Sequence, residues 1–300
     1  MPDQGASWDL VADLQLLLQF HFMQNAFLAG TLVAIVAGAA GYFVVLRGQS
    51  FAAHMLSQVG FPGAAAGVLL HLSPVLGLVV FCLAAALGIG WLGRDPDAGR
   101  RAESAAVGSI LAFSLGLGLL FFRLYAGSAQ GIYGFLFGAI LGISDTDVQL
   151  TFAVAAGGLV ALAVIARPLI FATMDPDVAE ARGVNVRAVS VAFLVILALS
   201  VAITVQIVGT LLIFALLVAP AGSALELTAR PARALILSVA LSVAAAWLGL
   251  AFAYFTNLPV GFFITTVAFA TYVGIRAVKA AVAAGGRRMR SSESSLVGHA

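Results

Sequence analysis

The chain has 300 residues, of which 62% are hydrophobic and only 9% are charged, and its mean hydropathy is +1.09. A soluble domain carries about 25% charged residues, so this composition cannot cover a water-facing surface and excludes a soluble globular protein. The formal charge of +2 is too small to indicate nucleic-acid binding, and a single cysteine, Cys82, excludes an internal disulfide and a thiolate metal site.

The hydrophobic stretches predict an all-α polytopic membrane protein with eight or nine transmembrane helices. The N-terminus lacks the basic start of a cleaved signal peptide, so we expect the first span to stay in the mature protein. A helix needs about 20 apolar residues to cross a bilayer. Nine stretches qualify, namely 23–46, 51–72, 74–92, 104–124, 148–167, 188–206, 207–227, 234–256 and 259–278.

Two parts of this pattern leave alternatives open. The region 188–227 holds either two short helices that turn near Thr204 to Val208 or one long bent helix, which gives nine or eight spans. The apolar stretch from Ile132 to Ile143 is too short to span, so it is either re-entrant or lies at the surface. Pro62 and Pro220 lie inside apolar stretches and are expected to kink or break them.

The basic residues predict the orientation, because lysine and arginine are retained on the cytoplasmic side. With nine spans and an external N-terminus, fourteen of the fifteen basic residues lie inside and only Arg123 lies outside. The predicted domains are an external N-terminal segment at 1–22, a transmembrane domain at 23–280 and a flexible cytoplasmic tail at 281–300. We therefore expect a multi-pass protein of the cell inner or plasma membrane.

One cytoplasmic segment, between the fifth and sixth spans, has the capping chemistry of a very short helix. Asp175 is suited to the N-cap, and Pro176 fits the first helical position. Asp177 and Glu180 lie near the positive end of the helix dipole. Gly183 can adopt the left-handed conformation that ends a helix. Beyond it, Asn185 can cap the following span. Such a short helix is not stable alone, so either the span ends or a partner protein must hold it.

Three segments together resemble the permease subunits of zinc and manganese ABC importers. The segments are Val44–Gly67 (VVLRGQSFAAHMLSQVGFPGAAAG), Met174–Val184 (MDPDVAEARGV) and Val208–Ala221 (VGTLLIFALLVAPA), the last followed by Thr228-Ala-Arg-Pro231. They occur in order at the family's spacing and extend the likeness over about residues 23–280.

The resemblance implies a helical bundle that works as a homodimer, with two cytoplasmic ATPase subunits and an external metal-binding protein as partners. It also implies that the segment near 176–182, with Asp175, Pro176, Asp177, Glu180 and Gly183, is the coupling helix that seats in the ATPase. The permease itself is not expected to be an enzyme, since the sequence has no Gly-x-x-x-x-Gly-Lys-Ser/Thr phosphate loop. No permanently bound cofactor is expected, and the divalent metal ion is the transported substrate.

His54 and Gln58 are the candidate metal contacts. They are four residues apart and share one face of the second span, where polar side chains indicate function. In the family the matching positions usually carry an aspartate and a histidine, so this chain departs at both. A neutral imidazole and an amide offer no charge, which favours zinc over manganese because manganese prefers carboxylate oxygen. Manganese and iron are the other ions that this family resemblance leaves open. The alternative is a polar pair that only packs helices through hydrogen bonds.

Other polar residues are weaker candidates. His21 and His71 are expected at the external face, and His299 in the tail. Asp145 and Asp147 can either help to dock the external binding protein or form a solvated helix start. Glu226 can either attract an exiting cation or face solvent at a helix end.

Three other functions remain as alternatives to a divalent-metal importer. A permease for a metal chelate, such as a siderophore or cobalamin, would have more spans and lack these segments. An ion-gradient-driven secondary transporter would need buried acids inside the spans, and almost none are present. An intramembrane enzyme would need a set such as His-Glu-x-x-His, which the sequence lacks.

Overall fold

The computed structural model describes residues 19–93, 100–125, 138, 142–256 and 258–297, and every regular element in them is a helix. In chain order the helices are α1 His21–Leu46, α2 Ser50–Leu69, α3 Pro74–Leu92, α4 Arg100–Leu124, α5 Asp145–Met174, α6 Pro176–Ala181, α7 Val186–Val208, α8 Thr210–Leu227, α9 Pro231–Thr256 and α10 Val260–Val297. The predicted all-α class is confirmed. The stretch from Ile132 to Ile143 lies almost wholly outside the described residues.

Nine of these helices correspond one by one to the nine predicted stretches. Seven are long and apolar enough to cross a membrane by length and composition. The other two are α2, with 20 residues, and α8, with 18. The chain turns between α7 and α8 at Gly209, which has a φ of 87°. The alternative of one long bent helix at 188–227 is therefore wrong, and the turn lies just after the predicted Thr204 to Val208.

Several helix ends differ from the predicted ones. The α5 helix continues past Arg167 and through Pro168 to Met174. Arg167 is exposed, and Leu169 and Ile170 after Pro168 pack in or against the core, which outweighs the one backbone hydrogen bond that a proline removes. Pro62 and Pro220 likewise lie inside continuous helices and break neither. The α10 backbone stays helical to Val297, so much of the segment 281–300 is helical; its flexibility stays a prediction.

The α1 helix is the most buried of the seven candidate spans and forms the centre of the bundle. It contacts α9, α8 and α5, while α2 packs mainly on α3 and α4, and α7 on α3 and α5. Small residues allow the closest approaches. A Cβ added at Gly41 would collide with the carbonyl oxygen of Leu217 in α8. A Cβ added at Gly63 would lie 2.7 Å from the carbonyl oxygen of Gly77 in α3. These glycines bring the backbones together as membrane helices require.

Gly41→Ala is expected to destabilise the fold, because the backbone of α8 cannot move aside as a flexible side chain would. Overpacking of this kind costs about 1–3 kcal/mol, which corresponds to a melting temperature several degrees lower. The single cysteine, Cys82, is fully buried, so a thiol-reactive dye reports unfolding in detergent. Gly157→Ala is the matched control, since no atom lies within 4 Å of a Cβ at Gly157. Equal melting temperatures for the two variants would contradict this packing.

The two ends of the bundle differ in charge. One end, here called the basic end, carries the following residues of the described chain: Arg47, Arg101, Arg182, Arg187, Arg230, Arg233, Arg276 and Lys279. Hydrogen bonds from Arg47 to Thr173 and to Ser190 join the ends of α1, α5 and α7 there. The opposite end, here called the far end, holds the starts of α1 and α5, which His21 and Asp145 connect. That the basic end faces the cytoplasm stays a prediction.

Candidate functional site

The α2 helix is buried on all sides except one narrow stripe. Between residues 52 and 67, the side chains of His54, Gln58 and Phe61 keep partial exposure, while all the others are buried. These three residues, here called the α2 stripe, are spaced by four and three positions, so they lie on one helix face. The structure therefore brings His54 and Gln58 together, as predicted. It also shows that, between residues 52 and 67, their face is the one that is only partly covered.

His54 has a buried ring nitrogen without a protein partner. Its Nδ1 is inaccessible to solvent and makes no hydrogen bond to any described residue. The ring lies edge-on to Phe214 of α8, with centroids 4.8 Å apart. The His54 carbonyl accepts a hydrogen bond of 2.6 Å from Ser57 Oγ, so the ring itself does not satisfy that hydroxyl. Leaving a buried ring nitrogen without a hydrogen bond costs free energy, which marks His54 as an unusual position in the described part of the helix.

Gln58 also has a free amide. Among the described residues, no hydrogen bond or ion pair involves its side chain. A polar pair that only packed helices together would donate and accept hydrogen bonds across the interface. Neither His54 nor Gln58 does so within the described part of this protomer. The choice between the metal-contact and the helix-packing interpretation stays a prediction.

The short helix α6, Pro176–Ala181, forms with the predicted caps. Asp175 Oδ1 accepts a hydrogen bond of 3.0 Å from the Val178 N–H, and Pro176 occupies the first turn. Gly183 has a φ of 84°, and the helix closes with the Gly183 N–H donating to the Glu180 carbonyl at 2.9 Å. Asn185 Oδ1 then caps α7 by accepting from the Ala188 N–H at 2.9 Å. Each predicted cap in this segment is confirmed.

One residue anchors α6, and its other side chains face outward. Ala179 is fully buried, whereas Pro176, Asp177, Val178, Glu180 and Ala181 are exposed. The helix contacts α5 and, more weakly, α7, which are the two helices that flank it. The span ends therefore hold α6 by one small residue. Its acidic and apolar outer surface is exposed at the basic end.

The polar residues at the far end are tied to helix starts. Asp145 Oδ1 lies 2.8 Å from His21 Nε2 and accepts a hydrogen bond of 2.7 Å from Asn25 Nδ2. Asp147 completes a capping box with Ser144. The helix-start interpretation of Asp147 is thus confirmed, and docking of a partner here stays a prediction. His71 lies exposed in the turn after α2, whereas His299 lies outside the described residues.

Glu226 is paired with cations. Its carboxylate lies 2.8 Å from Lys279 Nζ and 3.8 Å from Arg276 Nε, both in α10. Two positive charges offset its negative charge, so it is poorly suited to attract an exiting metal ion. The contact instead joins the end of α8 to α10 at the basic end.

Two features of the site could not be identified from the sequence. Phe214 is 160 positions from His54 along the chain and becomes its ring neighbour only through the packing of α8 on α2. Arg47 donates hydrogen bonds to hydroxyl groups of α5 and α7, and the sequence signalled it only by its place at the end of an apolar stretch and within the segment Val44–Gly67 that carries the family resemblance.

Comparison with known proteins gives a consistent result. A family described as the ABC 3 transport family matches residues 19–279. The manganese transport system membrane protein MntC of Listeria innocua is 31% identical over 248 residues, which cover 83% of this chain and 87% of that protein. The manganese import system permease protein ScaB of Streptococcus parasanguinis is 33% identical over 245 residues, which cover 82% and 86%.

A solved structure extends the likeness to three dimensions. The structure of PsaBC from Streptococcus pneumoniae in complex with Fab superposes with a TM-score of 0.78 at 31% identity, covering 89% of this chain and 95% of that one. The chain therefore belongs to the ABC 3 transport family, and its resemblance to the permease subunits of divalent-metal ABC importers is confirmed.

Proposed function

We propose that this chain is the pore-forming permease subunit of an ATP-driven importer of a divalent metal ion. The α2 stripe carries the proposal, because it places an imidazole and an amide, neither hydrogen-bonded to a described residue, on the partly exposed face of a buried helix. Polar groups at membrane depth that face a cavity mark ion pathways by default. The relatives, named as manganese transport and import proteins, support both the cargo class and the direction.

The permease works as a homodimer in this proposal. Within the described residues, no group of three His, Cys, Asp or Glu side chains converges on a point that can hold a metal. A second copy facing the α2 stripe brings two imidazoles and two amides together. Four neutral ligands hold a divalent ion weakly, which suits a site that the ion must both enter and leave.

The partners follow from the two ends of the bundle. At the basic end, the exposed surface of α6 docks on a cytoplasmic ATPase subunit, which supplies the hydrolysis that this chain does not perform. At the far end, an external metal-binding protein delivers the ion. The N-terminus then lies outside, the C-terminus lies in the cytoplasm, and the protein resides in the plasma membrane.

Zinc is the preferred ion in this proposal, and manganese is the second candidate. Imidazole nitrogen suits zinc, whereas manganese prefers carboxylate, carbonyl and water oxygen. The α2 stripe offers an imidazole and no carboxylate. Manganese remains a candidate because the relatives' names specify it. Only a measurement of transport distinguishes zinc from manganese as the cargo.

Uptake in cells tests the proposal. A bacterial host without its own high-affinity zinc and manganese importers would express this chain with its ATPase and external binding protein. We expect accumulation of radioactive zinc at least 10-fold above that with an ATPase whose phosphate-loop lysine is replaced. Greater accumulation of manganese than zinc would contradict the choice of zinc. Equal uptake with the active and the inactive ATPase would contradict the proposed function.

A further inference from the structure

Arg47 is the centre of a hydrogen-bond cluster at the basic end. It lies in the three-residue turn between α1 and α2, where Gly48 has a φ of 68°. Its Nη1 donates to Thr173 Oγ1 at 3.0 Å, and its Nη2 donates to Ser190 Oγ at 2.7 Å. The guanidinium carbon also lies 5.8 Å from the centre of the Phe193 ring. One side chain thus contacts both α5 and α7.

The two hydroxyl groups depend on Arg47 as their donor. The Thr173 hydroxyl donates a hydrogen bond of 2.6 Å to the Leu169 carbonyl, and the Ser190 hydroxyl donates one of 2.8 Å to the Val186 carbonyl. A hydroxyl has one proton, so each oxygen can only accept at its remaining positions. Arginine has five N–H groups in a planar fork and can donate to both oxygens at once. The single ammonium of lysine does not reproduce that geometry.

The cluster extends to α2 and α4 through Gln49. Arg47 Nε donates a hydrogen bond of 3.1 Å to Gln49 Oε1. The buried Gln49 in turn donates from Nε2 to Oε1 of Glu103, in the first turn of α4, at 2.7 Å. Burial lowers the pKa of Arg47, and the charge of Glu103 opposes this shift. The amide between the two charges keeps them in one cluster without a direct ion pair.

The two hydroxyl residues that Arg47 contacts flank α6 in the sequence. Thr173 lies two residues before Asp175, the cap at which α6 begins. Ser190 lies five residues after Asn185, the cap at which α7 begins. Arg47 itself lies three residues before Ser50, the first residue of α2. A direct hydrogen-bonded connection from the flanks of α6 to the turn that begins the helix of His54 and Gln58 therefore runs through this guanidinium.

We propose that Arg47 is a positioning residue that transmits movement of α6 to α2. It thereby links ATP hydrolysis in the partner to a movement of the helix that carries the α2 stripe. The inference rests on the proposed function, since it needs an ATPase docked on α6. When the partner displaces α6, the ends of α5 and α7 move with it. The two hydrogen bonds to Arg47 then pull on the turn that starts α2. Without the guanidinium, α6 can move while α2 stays in place.

The ratio of metal ions moved to ATP hydrolysed tests this role in the reconstituted transporter. Arg47→Gln is expected to assemble with the ATPase and hydrolyse ATP, but to move at least 10-fold less zinc per ATP than the wild type. Arg47→Lys, which keeps the charge, is expected to behave like Arg47→Gln. The matched control is Arg233→Gln, because Arg233 is exposed at the same end and makes no hydrogen bond to a described residue. Its ratio should equal that of the wild type.

A second variant keeps Arg47 and removes its acceptors. Thr173→Val combined with Ser190→Ala should lower the same ratio in the same direction. A wild-type ratio in Arg47→Gln or in the double variant would overturn the proposal. Loss of ATPase assembly in both would also overturn it, because Arg47 would then only hold the fold. If the wild-type complex itself moves no metal with ATP, the proposed function fails, whatever the Arg47 variants do.

Discussion

Replacement of both His54 and Gln58 by alanine is expected to lower ATP-dependent zinc uptake more than 10-fold while the complex still assembles and hydrolyses ATP. The double variant removes the imidazole and the amide from the partly exposed face of α2 between residues 52 and 67. A divalent ion that crosses the bilayer then loses the ligands that offset its dehydration, and its barrier rises. Folding should be little affected, since neither side chain bonds to another described side chain.

Uptake of radioactive zinc and the rate of ATP hydrolysis, measured on the same vesicles, check this prediction. His71→Asn is the matched control, because it also removes an imidazole but from an exposed turn at a φ of 56°, which asparagine tolerates. His54→Asp adds a carboxylate, so it should shift the preference from zinc towards manganese. Wild-type uptake by the double alanine variant would show that the α2 stripe does not carry the ion.

Gly183→Val is expected to weaken binding of the ATPase about 10-fold or more. The left-handed φ of 84° at Gly183 costs a residue with a Cβ about 1–2 kcal/mol, and more when the side chain is β-branched. About 1.4 kcal/mol corresponds to a tenfold change in affinity. No atom lies within 4 Å of a Cβ at Gly183, so the effect acts through the backbone alone. It should tilt or fray α6, whose last turn closes at this residue.

Titration of the permease with purified ATPase measures this affinity directly. Gly183→Asn should bind nearly as well as the wild type, because asparagine adopts the left-handed conformation at little cost. Gly157→Val serves as a control for a new β-branched residue in open space. The dye reaction of Cys82 should show the same melting temperature for all of these variants. Wild-type affinity in Gly183→Val would mean that the shape of α6 does not determine docking.

The parts of the fold that depend on local chemistry could be predicted from the sequence. The nine long helices follow from apolar length alone, because a backbone in hydrocarbon must satisfy its own hydrogen bonds. The start of α6 was predicted to the residue and its end, expected at 182, within one residue, since Asp175, Pro176 and Gly183 each have a strong positional preference. His54 and Gln58 were placed on one face because helix periodicity sets that relation.

The features that depend on tertiary packing could not be predicted. The contacts of Arg47 with Thr173 and Ser190 join residues 126 and 143 positions apart. Phe214 reaches His54 only because α8 packs beside α2. The end of α5 was placed too early, since the charge of Arg167 ends the apolar stretch and Pro168 disfavours a continuing helix, which packing of Leu169 and Ala172 in the core overrides. The uncovered state of the α2 stripe likewise depends on which faces the other helices cover.

Metal uptake by proteoliposomes tests most directly that this chain is the permease of an ATP-driven importer. The vesicles would contain only this protein and its ATPase, with the loaded binding protein on the side of the far end and ATP on the side of the basic end. We predict that zinc accumulates against its gradient with ATP and does not accumulate with a non-hydrolysable analogue. Accumulation that proceeds equally without ATP, or none under either condition, would contradict the proposed function.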